Sequence, residues 1–119
     1  MKIVLDANGG DYAPLEIVKG AVMALDKTDD IEIVLYGEEQ GIRESLKGLT
    51  YDESRLELCF TTEIVTNDDV PTKAIMQKKD SSLVKALERV RTDDECKGFV
   101  SAGSTGAVLT GAVLKIGGF

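Results

Sequence analysis

Apolar runs and amphipathic stretches alternate along this chain. Four short runs rich in branched or aromatic apolar residues are bounded by turn-forming residues, a pattern typical of buried strands. They predict strands at 2–7, 31–36, 56–60 and 97–101. Between these runs, apolar residues recur at helical spacing. The spacing predicts helices from Pro14 to about Asp26, around Ile42 and Leu46 up to Gly48, at 71–77, from a Ser81 or Ser82 cap through Val90, and at 107–116.

Strands that alternate with helices indicate a doubly wound α/β fold, in which helices cover both faces of a mostly parallel sheet. A chain of 119 residues fits a single domain, 1–119, that can bury a core without disulfides. The last predicted helix is apolar on most sides, so we expect part of its cover to come from further sequence or from a second subunit.

Composition and charge narrow the function. Hydrophobic residues make up 43% and charged residues 29% of the chain, as in ordinary globular proteins. The formal net charge of −7 repels polyanions and argues against a general nucleic-acid role. No apolar run has the length of a membrane span, and Met1 to Ile3 leads to Asp6 without a signal-peptide core. We therefore expect a cytoplasmic protein.

Residues suited to metal or nucleophilic chemistry are few. Cys59 and Cys96 are far apart and histidine is absent, so neither a zinc site nor a disulfide framework is indicated. We expect both cysteines to be buried free thiols. Without histidine, this chain alone cannot supply Ser-His-Asp or Cys-His catalysis. Positioning and charge stabilisation remain as ways in which this chain could promote a reaction.

The first of three polar segments follows the first predicted strand, at the sheet edge where doubly wound folds bind ligands. Gly9 and Gly10 lie between Asp6 and Asp11. The glycines let backbone N–H groups approach a ligand, and a carboxylate can fix the loop or a partner group. The alternative is a tight turn in which Asp11 is a turn or capping residue.

The second segment places hydroxyls and small residues at the start of a predicted helix. Its residues are Ser101, Gly103, Ser104, Thr105 and Gly106. Free N–H groups at a helix start favour phosphate or an oxyanion, although capping by Ser104 or Thr105 explains the pattern equally well. The segment lacks the spaced glycines of a dinucleotide site and the lysine of a P-loop.

The third segment puts two cations and two hydroxyls beside a helix start. Its residues are Lys78, Lys79, Asp80, Ser81 and Ser82. Such groups can hold phosphate through charge-assisted hydrogen bonds. The alternative is a solvated charged turn in which Asp80 or Ser81 caps the helix.

Taken in order, these blocks resemble the PlsX family of phosphate acyltransferases. Residues 6–14 resemble the opening signature of the family, in which methionine usually stands at the position of Asn8. The second block is 71–82, and the third, 101–107, resembles Ser-Ala-Gly-Asn-Thr-Gly-Ala with Ser104 in place of asparagine. Their order and spacing make the match more specific than any one block. Family members are considerably longer, so we expect this chain to be the amino-terminal part of such an enzyme.

The resemblance implies an α/β/α fold related to phosphotransacetylases and isocitrate-dehydrogenase-like enzymes. It also implies transfer of a fatty acyl group from acyl-carrier protein to inorganic phosphate, giving acyl phosphate for bacterial phospholipid synthesis, without a metal or organic cofactor. Family members form homodimers and associate peripherally with the inner membrane face through later segments. Two alternatives stay open: a truncated, inert phosphate-binding domain, and a phosphotransacetylase-like enzyme that uses acyl-CoA.

Carried over by position, the residues of all three segments are expected to line the substrate cleft, with no catalytic residue assigned. Lys79 and the helix start at 104–106 are expected to hold phosphate or the developing oxyanion. Gly9 and Gly10 are expected to give backbone access.

Overall fold

A four-stranded parallel sheet organises the computed structural model, which describes residues 1–8, 13–66 and 68–101. The strands are β1 (Lys2–Asp6), β2 (Glu32–Gly37), β3 (Leu56–Phe60) and β4 (Cys96–Ser101). The helices are α1 (Leu15–Lys27), α2 (Glu39–Leu46), α3 (Pro71–Gln77) and α4 (Ser82–Thr92), with a short 3-10 helix at Glu53–Arg55. None of these helices is long and apolar enough to cross a lipid bilayer.

The predicted doubly wound α/β class is confirmed. The strand at 56–60 and the helix at 71–77 have the predicted bounds. The predicted helix at 107–116 lies outside the described residues. The second helix begins earlier than its apolar pattern indicated, because the Glu38 carboxylate caps it by accepting hydrogen bonds from the next turn.

The sheet has the strand order β3-β2-β1-β4, and all neighbouring strands are parallel. The chain first builds outward from β1 to β3 and then returns to add β4 on the other side of β1. The order therefore reverses between β1 and β4. In open α/β sheets, ligands bind outside the carboxyl ends of the strands at such a reversal. Asp6 and Ser101, the last residues of β1 and β4, are register partners there.

Helices cover both faces of the sheet. On one face, α1 and α2 pack on a core that includes Leu5, Leu25 and Ile42. On the other face, β1 and β2 contribute Val4 and Val34, and α4 packs there. Successive residues of a strand point to opposite faces, so burial on both sides explains the nearly continuous apolar runs in the sequence.

The two cysteines differ in their burial. Cys96 is a buried free thiol, as predicted, whereas Cys59 is only partly buried, so that part of the prediction is wrong. Cys59 lies on the edge strand β3, which has a neighbouring strand on one side only within the described sheet. Burial is the main cause that raises the pKa of both thiols, so each is less reactive than an exposed cysteine at neutral pH.

Candidate functional site

The Asp6 side chain joins three elements at the strand-order reversal. Asp6 is 4% exposed, and its carboxylate accepts hydrogen bonds from the hydroxyls of Ser82 at 2.5 Å and Ser101 at 2.9 Å. Because side chains alternate along a strand, Asp6 shares the face of Val4, which is the face that α4 covers. The first residue of α4 and the last residue of β4 thereby meet at the end of β1.

The local surroundings explain how a carboxylate is accommodated there. Besides the two hydroxyls, the backbone N–H of Asn8 donates to Asp6 Oδ1 at 3.1 Å. The carboxylate also lies against the amino-terminal end of α4, where the helix dipole favours negative charge. Within the described ranges, no lysine or arginine pairs with Asp6. Hydrogen bonds and the helix end therefore take the place of a counterion.

This arrangement fixes what the two serines can do. A serine hydroxyl has one O–H to donate, and those of Ser82 and Ser101 are directed at Asp6. In this geometry their hydroxyls do not donate to a ligand. The two serines hold the ends of β4 and α4 in place, and donors for an anion must come from other groups.

Ser81 is the amino-terminal cap of α4. Its side-chain oxygen accepts a hydrogen bond from the backbone N–H of Val84 at 3.2 Å, and the residue is fully buried. The capping alternative is thus the one that the structure supports for this residue.

Among the other residues of the corner 78–82, Lys78 and Asp80 make side-chain hydrogen bonds and Lys79 makes none with the described residues. The Lys78 ammonium donates to the Ile64 carbonyl at 2.7 Å and to the Asp69 carboxylate at 2.8 Å. The hydroxyl and backbone N–H of Thr62 donate to the Asp80 carboxylate at 2.6 and 3.0 Å. Lys79 is exposed and has no hydrogen bond or ion pair with any other described residue.

These contacts also shift acid–base equilibria in the corner. The hydrogen bond from Lys78 is the largest cause that lowers the pKa of the Asp69 carboxyl. The hydrogen bond from the Thr62 hydroxyl is the largest cause that lowers the pKa of the Asp80 carboxyl. Both carboxylates therefore stay ionised at neutral pH and keep holding their donors.

The first loop lies close against the end of β2. The Asn8 side-chain oxygen accepts a hydrogen bond from the Glu38 backbone N–H at 3.3 Å. A Cβ atom added to Gly37 would lie 3.1 Å from both Ala7 Cβ and Asn8 Oδ1. Gly37 thus allows the backbone of β2 to approach the loop that follows β1.

The structure brings Asp6, Ser82 and Ser101 into direct contact and places Lys78, Lys79, Asp80 and Ser81 in the adjoining corner. The remaining predicted site residues lie outside the described part of the chain: Gly9, Gly10, Asp11, Gly103, Ser104, Thr105 and Gly106. Within the described part, no group of three or more carboxylates or cysteines is arranged to hold a metal ion.

The sequence did not single out Thr62 and Asp69 as partners of the corner. Both belong to the polar, irregular segment that follows β3. The position of this segment in the sequence could have pointed to both residues, because a segment that follows a parallel strand emerges at the ligand-binding edge of the sheet.

Comparison with known proteins shows the family of this chain. The model of the fatty acid synthesis protein family matches residues 1–119. The chain belongs to this family. It is 46% identical over 117 residues to a phosphate acyltransferase of Thermoanaerobacter pseudethanolicus and 47% identical to one of Caldanaerobacter subterraneus subsp. tengcongensis. A phosphate acyltransferase of Clostridium tetani is 44% identical.

These relatives are much longer than this chain. Each alignment covers 98% of this chain but only 34 or 35% of the relative. The chain therefore spans about a third of the length of the curated relatives that it matches.

Proposed function

We propose that this chain carries the phosphate-binding part of an acyltransferase that moves a fatty acyl group onto inorganic phosphate. The observation that carries the proposal is the buried Asp6 carboxylate, which ties together the ends of β1 and β4 and the start of α4. This junction lies at the strand-order reversal, where doubly wound folds bind ligands. Relatives named phosphate acyltransferase support phosphate as the acceptor.

The chemistry requires positioning more than a protein nucleophile. A phosphate oxygen attacks the carbonyl carbon of an acyl thioester, forming the new C–O bond and a tetrahedral oxyanion. The intermediate collapses with cleavage of the C–S bond, and the sulfur leaves with the electron pair and takes up a proton. Donors that favour the phosphate and the oxyanion lower the barrier to this step.

Each group at the junction has a different role in this proposal. Lys79 supplies a positive charge that is unpaired among the described residues of this acidic chain, and it binds phosphate together with the segment 104–106. Gly9 and Gly10 give backbone access. Asp6 only accepts hydrogen bonds and repels an anion, so it is a positioning residue that holds the frame through Ser82 and Ser101.

The finer features of the proposal rest on the resemblance of the three motifs. The acyl donor is acyl-carrier protein, and the acyl phosphate serves phospholipid synthesis. The enzyme acts in the cytoplasm as a homodimer and associates peripherally with the membrane through segments outside this chain.

A second candidate is a phosphate-binding domain that does not turn over by itself. The observation that favours it is that Ser82 and Ser101 are both hydrogen-bonded to Asp6, which suits a structural frame for binding. Such a domain would bind phosphate in the same place and leave the thioester intact.

A phosphate titration of the isotopically labelled chain, followed by backbone amide NMR, tests the binding site that both candidates share. We expect saturable shifts at Lys79 and in the segment 101–106. The Lys79→Met variant should bind phosphate about tenfold more weakly, because one charge-assisted contact is lost. Lys73→Met is the matched control, since Lys73 is also exposed and free of hydrogen bonds and ion pairs with the described residues.

Two results would contradict the assignment. A folded wild-type chain without saturable shifts carries no phosphate site. Equal phosphate affinities of the Lys79→Met and Lys73→Met variants would mean that Lys79 acts only through the net charge of the chain.

A further inference from the structure

The described residues of the segment 61–70 and the corner 78–82 are joined at two points. At the first, the Asp80 carbonyl accepts from the backbone N–H groups of Thr62 and Glu63 at 3.2 and 3.1 Å, and the Asp80 N–H donates to the Glu63 carboxylate. Glu63 and Ser81 also form a parallel bridge. At the second point, the Lys78 ammonium holds the Ile64 carbonyl and the Asp69 carboxylate.

The surroundings of Lys78 leave little of its charge for a ligand. Its ammonium lies 2.8 Å from a carboxylate and 2.7 Å from a carbonyl oxygen. Lys78 is also the C-cap residue that follows α3, where the helix dipole favours positive charge. Its side chain is partly buried at 31% exposure, against 25% for Asp69. The neighbouring Lys79 is exposed and has none of these contacts with the described residues.

We propose that Lys78 is a positioning residue of the phosphate site, which fixes the segment 61–70 to the corner 78–82 and leaves Lys79 as the cation that meets phosphate. The inference rests on the proposed function, because it assigns different roles to two adjacent lysines of the same site. It replaces the simpler picture in which both ammonium groups bind the anion.

The substitution Asp69→Asn removes the carboxylate partner of Lys78. A positioning role and a phosphate-binding role of Lys78 predict opposite changes in phosphate affinity. If Lys78 positions the corner, Asp69→Asn weakens its anchor and lowers phosphate affinity. If Lys78 is a phosphate ligand, the same change frees its ammonium and raises the affinity. Asp68→Asn is the matched control for the loss of one negative charge, because Asp68 is exposed and makes no hydrogen bond or ion pair with the described residues.

The experiment measures phosphate affinity by amide NMR, with the exchange rates of the Thr62 and Glu63 amides as a second readout. Relative to Asp68→Asn, we expect Asp69→Asn to bind phosphate about threefold to tenfold more weakly. Lys78→Met should match it, and Lys78→Arg should restore most of the affinity, because a guanidinium can reach both oxygen partners. Both weakened variants should exchange the two amides faster than the wild type.

Opposite results would overturn the inference. Higher affinity in Asp69→Asn than in Asp68→Asn would make Lys78 a ligand, and unchanged amide exchange in Lys78→Met would show that it fixes nothing. A wild-type chain that binds no phosphate would instead refute the proposed function. The exchange rates would still decide whether Lys78 holds the corner.

Discussion

At the scale of single residues, Asp6 has the most consequential environment. It is a carboxylate at the end of a buried strand, and it has three hydrogen-bond donors and no cation among the described residues. Two of its donors are hydroxyls from segments 76 and 95 residues further along the chain. The side chain therefore joins segments that are far apart in the sequence.

Replacing Asp6 with alanine should destabilise the chain. The buried hydroxyl of Ser82 loses its acceptor, and an unsatisfied buried donor lowers the free energy of unfolding. We expect a loss of about 2 to 4 kcal/mol in Asp6→Ala, measured by urea unfolding. Asp6→Asn should lose less, because its amide oxygen still accepts one hydrogen bond.

The exposed Asp30 provides the control for this prediction. Asp30→Ala should change the free energy of unfolding by less than about 0.5 kcal/mol. If Asp6→Ala unfolded at the same urea concentration as Asp30→Ala, the hydrogen bonds of Asp6 would not stabilise the junction of β1, β4 and α4.

At the scale of elements, an ion network joins β3, α4 and the turn before β4. The Arg89 guanidinium of α4 donates to the Glu57 carboxylate at 2.7 Å and to the Asp93 carboxylate at 2.8 Å. Hydrogen bonds from Arg89 are the largest cause that lowers the pKa of both carboxyls. This network lies away from Asp6 and serves the packing of α4 on the sheet.

The network predicts a pH dependence of stability. A lowered carboxyl pKa in the folded state stabilises the fold above the unfolded-state pKa of about 4, and this contribution is lost as the pH falls through the lowered value. Arg89→Met should therefore lower the urea midpoint at pH 7 and flatten its fall between pH 5 and pH 2. We expect the wild-type and variant curves to converge at the acid end.

Arg91→Met is the matched control in the same helix, because Arg91 is exposed and has no hydrogen bond or ion pair with the described residues. Its pH profile should follow the wild type. Parallel profiles of Arg89→Met and the wild type would mean that the network contributes no pH-dependent stability.

Elements were more predictable from the sequence than contacts. Pro71 and the apolar run at 56–60 defined α3 and β3 because their signals are local. The alternation of strands and helices also led to the prediction that a ligand binds at the carboxyl edge of the sheet. The meeting of Asp6 with Ser82 and Ser101 depends on the strand order, which no local pattern specifies. The engagement of Lys78 by Asp69 was missed for another reason, because Asp69 lies in an irregular segment whose sequence has no periodic pattern.

At the scale of the whole molecule, the described residues form a sheet whose order reverses at one point, and Asp6, Ser82 and Ser101 meet there. The chain matches its family from residue 1 to residue 119 but spans about a third of its curated relatives. The central claim is that these residues supply the phosphate side of an acyl transfer.

The most direct test is the release of free thiol from a long-chain acyl-carrier-protein thioester, with and without inorganic phosphate, using this chain beside a full-length relative. Acyl-CoA serves as the second donor and distinguishes the phosphotransacetylase-like alternative. We predict phosphate-dependent release from the acyl-carrier-protein donor by this chain. Thiol release that is independent of phosphate, from a chain shown to be folded and beside an active relative, would contradict the claim, and absence of release would select the phosphate-binding domain that does not turn over by itself.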